Sequence, residues 1–193
     1  MQRRYLAIPF FVLVFTCFTG VATRAGGGAA DPAVGAEPVA RGKYLVTFGL
    51  CHDCHTPHKL GPNGPEPDMT RALSGHPDTL VLPPPPALTM PWVWGGAATN
   101  TAFVGPWGVS FTANLTPDPE TGLGTWTEEM FMRALRTGRH EGKGRPILPP
   151  MPFKFVSSLT DEDLKAVFAY LQSLTPVRNK VPTPIDPAEE TLQ

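Results

Sequence analysis

The chain has 193 residues, with 16 Lys and Arg against 17 Asp and Glu and a formal net charge of −1. That length suits one domain with an N-terminal extension and enough interior to enclose a large apolar group, and the balance of charge excludes a globally basic nucleic-acid binder. The 24 Pro and 19 Gly would signal disorder if they were not interleaved with Trp, Phe, Leu and Val, so the composition reads as long ordered loops wrapped on something rigid.

Residues 1–30 read as an export segment, with Arg3 and Arg4 as a positive start and an uncharged, mostly apolar run from Tyr5 to Thr23. The run is intermediate in length between a signal-peptide core and a minimal membrane span, so a cleaved signal peptide and a retained N-terminal anchor both stay open. Pro9, Thr16, Thr19 and Gly20 weaken it as a span, and Ala22, Ala25 and Ala30 offer small residues for cleavage. Cleavage would remove Cys17 and leave Cys51 and Cys54 as the only cysteines in an oxidising compartment. Residues 31–38 continue as a Gly/Ala/Pro-rich flexible leader.

From Val39 to Leu50 the pattern turns helical, with Val39, Gly42, Leu45, Val46 and Gly49 on one side and Pro38 just before the start. Gly42 either admits a close helix crossing or is merely tolerated there. Next comes Cys51-His52-Asp53-Cys54-His55. In this spacing two thiols add to the vinyl groups of a haem as thioethers, and the histidine reaches the iron from the same turn. A redox dithiol or a zinc site needs the cysteines but not a histidine directly after the second one. No second Cys pair exists to close a zinc shell with His58 or His76, no strand-to-helix setting supports a thioredoxin-like dithiol, and a Cys51–Cys54 disulfide would close too short a loop to gain much entropy. The expected cofactor is therefore one covalent haem c, attached at Cys51 and Cys54, with His55 on the iron.

Between about His58 and Thr125 the chain is a long insertion of loops and short strands, carrying the prolines Pro83 to Pro86 as a stiff connector. Trp92, Trp94 and Trp107 are expected to pack in a core, with the alternative for Trp107 that its indole N–H reaches a haem propionate. A second helix is expected over Thr125–Leu135, from the capping-box spacing of Thr125 and Glu128, with Gly138 past its end; Met130 and Met132 read as core fillers. A third begins at Thr160 with Asp163, shows Leu164, Val167, Phe168, Leu171 and Leu174 on one face, and stops before Pro176. Beyond Val177 the Pro-rich, acidic chain reads as loose, with 183–193 as a tail outside the domain.

With the haem motif and three helices placed, residues 39–182 resemble a class I c-type cytochrome domain, similar to the exported mono-haem cytochrome c subunits that accompany bacterial dehydrogenases. The resemblance rests on Arg41-Gly42-Lys43-Tyr44-Leu45-Val46 before the motif, Ala113-Asn114-Leu115-Thr116-Pro117-Asp118, Trp126-Thr127-Glu128-Glu129, Pro149-Pro150-Met151-Pro152 and Leu159-Thr160-Asp161-Glu162-Asp163-Leu164. It implies a mainly α cytochrome c fold in which the first and last helices cross beside the haem, with His55 and Met151 as axial ligands. The long insertion exceeds a minimal member of the family. Among the rival ligands Met69, Met90, His76 and His140, Met151 has a physical case of its own: Pro149, Pro150 and Pro152 bias it toward extended geometry and reduce the freedom it loses on binding.

The expected function is that of an exported, periplasmic one-electron carrier, or a membrane-anchored one if the N-terminal segment is retained. It is not an enzyme, and it exchanges electrons with a dehydrogenase donor and an oxidase or cytochrome acceptor. The alternative is a haem enzyme of peroxidase type or a gas sensor, either of which needs an open iron site.

Overall fold

The computed structural model describes residues 32–187, so the expected export segment, with Cys17 in it, and the end of the tail lie outside the described residues. Helix α1 (Pro32–Phe48) crosses α5 (Asp161–Gln172), and this pair forms the most extensive packing between elements of the described chain. The crossing is close because of Gly42. A Cβ there would run into the carbonyl of Ala166 and lie 2.7 Å from Cβ of Tyr170, so of the two readings of Gly42 the close crossing holds. Beside it, Arg41 Nε donates to Asp163 Oδ1 at 2.9 Å.

The start of α1 differs from expectation. Residues 32–38, read as a flexible leader, are helical, because Pro32 occupies a position where a missing N–H is harmless and Ala33 and Ala36 favour helix; Pro38 falls inside, at the cost of one backbone hydrogen bond. The helix stops at Phe48 rather than Leu50. Leu50 adopts left-handed geometry at φ 55°, which turns the chain so that the haem motif forms its own short helix α2 (Cys51–His55).

Helix α3 (Glu128–Thr137) starts three residues later than expected. The N–H of Trp126 is held in a turn by Leu123 O, which keeps Thr125 and Trp126 out of the helix. The cap is therefore Thr127, whose Oγ1 accepts from Met130 N–H at 3.2 Å, instead of Thr125 paired with Glu128. Gly138 closes the helix in left-handed geometry at φ 65° as expected. One further turn, α4 (Phe153–Val156), is too short to show a periodicity in the sequence. Helix α5 begins as expected, with Thr160 Oγ1 accepting from Asp163 N–H at 3.1 Å. Val46 of α1, Phe131 and Leu135 of α3, and Leu164, Val167, Phe168 and Leu171 of α5 form one buried cluster with Leu73 and Leu123 from the loops; the Phe131 and Phe168 rings lie 5.2 Å apart.

The insertion holds two small antiparallel sheets, a hairpin of β1 (His58–Gly61) with β2 (Gly64–Pro67), and a three-stranded sheet in the order β3 (Gly95–Gly96), β4 (Ala102–Gly105), β5 (Gly108–Phe111). Ser110 of β5 faces Phe103 of β4. Trp92 and Trp94 are 71% and 50% exposed, not core residues, because Pro83 to Pro86 and Pro91 have no N–H to give a ladder and the stretch forms no strand from which to bury them. Met132 packs on the core as expected.

The C-terminal stretch from Val177 to Ile185 is held, contrary to the loose tail that composition implied. Asn179 is fully buried: its Oδ1 accepts from Arg71 Nη2 and Asp78 N–H, and its Nδ2 donates to the carbonyls of Ser74 and His76. Ile185 pairs with Val109 through two 2.9 Å backbone bonds, adding an edge to β5. A polar composition is silent about an amide whose whole bonding capacity is satisfied inside.

Gly42→Ala should lower the stability of the holoprotein by roughly 1–3 kcal/mol or more, the range for overpacking against atoms that cannot retreat, read by denaturant titration. Hydrogen bonding to Arg41 holds the Asp163 carboxyl below its ordinary 3.8. Its stabilising effect is thus complete above that value and is lost as pH falls through the lowered one, so melting temperatures of wild type and Asp163→Asn should differ at about pH 6 and draw together as pH falls through the lowered Asp163 value.

Candidate haem site

The short helix α2 sets Cys51, Cys54 and His55 on one turn. Both thiols are free and half-buried. Burial pushes each of them up, with the neighbouring Asp53 adding to the effect at Cys54. A reactive dithiol is marked by the opposite shift, so the redox reading gains no support here. Among the described residues no group of three or more His, Cys, Asp or Glu is placed to hold a metal ion, which leaves the zinc reading without a shell.

His55 is 8% exposed, and its Nδ1 lies 2.8 Å from the carbonyl of Ala113. A carbonyl can only accept, so Nδ1 carries the hydrogen and Nε2 keeps its lone pair. Burial lowers the pKa of the ring, against the smaller raising effect of the Ala113 bond, and the imidazole is therefore neutral at pH 7. The result is a fixed ring with one nitrogen ready for a metal.

Ala113 is held from both sides. Thr112 N–H donates to Thr101 O at 2.9 Å, and Thr112 O accepts from His76 N–H at 3.0 Å. On the other side Asn114 Oδ1 accepts from the N–H and hydroxyl of Thr116, while its Nδ2 donates to Val177 O at 2.8 Å. Gly75, at φ 78°, lets the chain pass close by: a Cβ there would lie 2.6 Å from the carbonyl carbon of Ala113, and Gly75 N–H donates to His55 O at 2.8 Å. Thr56, fully buried, accepts from Leu73 N–H at 3.0 Å and bonds His52 Nδ1 at the same distance, closing the far side of α2.

Met151 is half-buried and packs on the same hydrophobic cluster as Cys51, Leu115 and Trp126. Its loop makes local bonds, Met151 N–H to Leu148 O at 3.3 Å and Phe153 N–H to Met151 O at 2.9 Å. The rivals are differently placed. Met69 and Met90 are 60% and 82% exposed, His76 is buried with both ring nitrogens engaged by Thr101 and Leu80, and His140 lies at the surface, edge-on to Trp126.

Five buried side-chain polar atoms of the described residues have no protein partner: Trp107 Nε1, Arg71 Nε, His58 Nε2, Ser74 Oγ and Thr112 Oγ1. Each costs about 1–3 kcal/mol if left unsatisfied. Trp107 Nε1 and Arg71 Nε are donors of the kind a carboxylate accepts, which fits a haem with its two propionates. The roles of Ala113 and Thr56 beside α2 escaped the sequence reading. Ala113 acts through its backbone, so no side-chain signal exists for it, whereas the Asn114-Leu115-Thr116 spacing does encode the turn that presents it.

A family model described as Cytochrome c matches residues 39–175. Over 147 residues the chain is 30% identical to the cytochrome c subunit of alcohol dehydrogenase (quinone) from Gluconobacter oxydans, covering 75% of this chain and 23% of that protein. Over 135 residues it is 29% identical to the fructose dehydrogenase cytochrome subunit of Gluconobacter japonicus, covering 70% and 21%. Over 140 residues it is 28% identical to the gluconate 2-dehydrogenase cytochrome c subunit of Pantoea cypripedii, covering 72% and 24%. The chain thus spans less than a quarter of the length of each of these relatives. Helices, motif and family match agree: the chain belongs to the cytochrome c family and is a c-type electron-transfer cytochrome.

Proposed function

We propose that this protein is an exported one-electron carrier that holds one haem c through Cys51 and Cys54, with His55 and Met151 as axial ligands. The observation that carries the reading is the buried His55, whose Nδ1–H is spent on the Ala113 carbonyl and whose Nε2 is left as the metal-facing nitrogen. Met151 is favoured over Met69 and Met90 because it packs on the cluster that also contacts Cys51, while they are exposed. When bound, the haem supplies the ferric–ferrous couple. The chain attaches it, orients the imidazole and shields the iron with a thioether that favours the ferrous state relative to a second histidine. With His55 and Met151 both held to the iron, no position would be left for a substrate, which suits a carrier and not an enzyme.

Its proposed electron donor is a dehydrogenase, since the relatives are named as dehydrogenase subunits, and its acceptor an oxidase or another cytochrome. Export rests on Arg3, Arg4 and the apolar run that follows them. Among the described residues no helix is long and apolar enough to cross a membrane.

Haem-linked peroxidase staining of a denaturing gel should mark the chain, because thioethers survive unfolding, and Cys51→Ser with Cys54→Ser should abolish the stain; an unstained wild type from a host able to attach haem refutes the attachment. The wild-type iron should be low-spin and inert to carbon monoxide. Met151→Ala should open it to carbon monoxide and lower its potential. An unchanged spectrum in that variant, with the change appearing in Met90→Ala, would move the ligand to Met90.

A further inference from the structure

The loop that carries Met151 is poor in ways to hold itself. Pro149, Pro150 and Pro152 have no N–H, and the backbone bonds of Leu148–Pro152 run to one another or to the adjoining turns. Among the hydrogen bonds of the described residues, one ties this loop to a distant element: Ser110 Oγ donates to Pro149 O at 2.7 Å. Ser110 is 7% exposed, and its single hydroxyl hydrogen has a second, poorer acceptor in Phe103 O at 3.4 Å, so distance assigns it to Pro149. The strand that presents it is fixed on both edges, by Phe103 opposite Ser110 on β4 and by the Val109–Ile185 pair on the other side.

We infer that Ser110 is a positioning residue for Met151, acting through the Pro149 carbonyl. Three residues further along the same chain, the Ala113 carbonyl fixes the imidazole of His55. At about 3.3 Å per extended residue, both anchors fall within roughly 10 Å of one rigid segment. Ser110–Ala113 is thus a common brace for the two ligands, one side set by a side chain and the other by a carbonyl. A hydroxyl that merely fills its own bonding need would stabilise the fold equally but would not govern how readily the sixth ligand leaves. The inference rests on the reading of Met151 as that ligand.

The test uses ferric holoprotein and titrates imidazole, an external ligand that must displace the sixth one. Ser110→Ala should keep its covalent haem and bind imidazole roughly 2- to 13-fold more tightly, the span that one neutral hydrogen bond covers. Ser110→Thr, which keeps the hydroxyl, should match wild type. Ser110→Val against Ser110→Thr is a second pair, matched in shape and differing in the hydroxyl, if the alanine variant does not accumulate. Imidazole affinity unchanged in Ser110→Ala and Ser110→Val, even with a lower melting temperature, overturns the brace. Met151→Ala is titrated in parallel. A rise there with none in the Ser110 variants sinks the brace alone, and no rise in Met151→Ala sinks the ligand assignment and the brace with it.

Discussion

A histidine that is to meet a metal through one nitrogen must give its other N–H to something, and in this chain that acceptor is a backbone carbonyl, Ala113, 58 residues beyond His55. A carbonyl cannot be adjusted by rotating a side chain. It has to be placed by the backbone on both sides of it, and much of the insertion can be understood as the means of placing it. The Thr112 peptide is clamped between Thr101 and His76, Asn114 folds the chain back onto Thr116, and Gly75 supplies the clearance for the Thr112–Ala113 backbone to come alongside while its own N–H bonds the His55 carbonyl.

The helical half of the molecule rests on a different principle. Its core is dispersion and apolar burial, concentrated where α1 and α5 meet at Gly42 and where the tilted Phe131 and Phe168 rings pack together. The exposed Arg41–Asp163 pair beside the crossing adds orientation more than energy, as surface ion pairs generally do. Because α1 leads through the Leu50 turn directly into α2, the crossing also fixes where Cys51 begins.

These two halves were not equally legible in the sequence. Periodicity and caps located α5 and its Thr160 cap, and Gly138 as the end of α3, because those features are local and each has its own residue type. The attachment motif was legible for the same reason. The start of α1 was misplaced since Pro32, Gly35 and Pro38 read as breakers of a helix, although Ala33 and Ala36 favour one. The tail and the tryptophans failed for a non-local reason: whether Asn179 is buried or Trp92 exposed depends on partners about a hundred residues away or on the lack of a ladder, and no window of sequence contains either. The Ser110–Pro149 and His55–Ala113 bonds are invisible in the same way, each ending on a backbone carbonyl.

From Thr79 to Pro117 the chain has no charged side chain, so this part of the structure cannot be assembled by ion pairs; those present join residues outside that stretch, such as Arg178 with Glu120 and Lys59 with Asp68. Neither can it rely on long ladders, since its strands have at most four residues. What remains is neutral hydrogen bonding by buried amides and hydroxyls, and Asn114 and Thr116 tie the end of this stretch to Val177. For the proposed carrier this choice has a consequence. Neutral cross-links around the His55 acceptor add rigidity without adding a fixed charge, so they restrain the ligand geometry while leaving the ferric–ferrous balance to the axial ligands and the dryness of the shell.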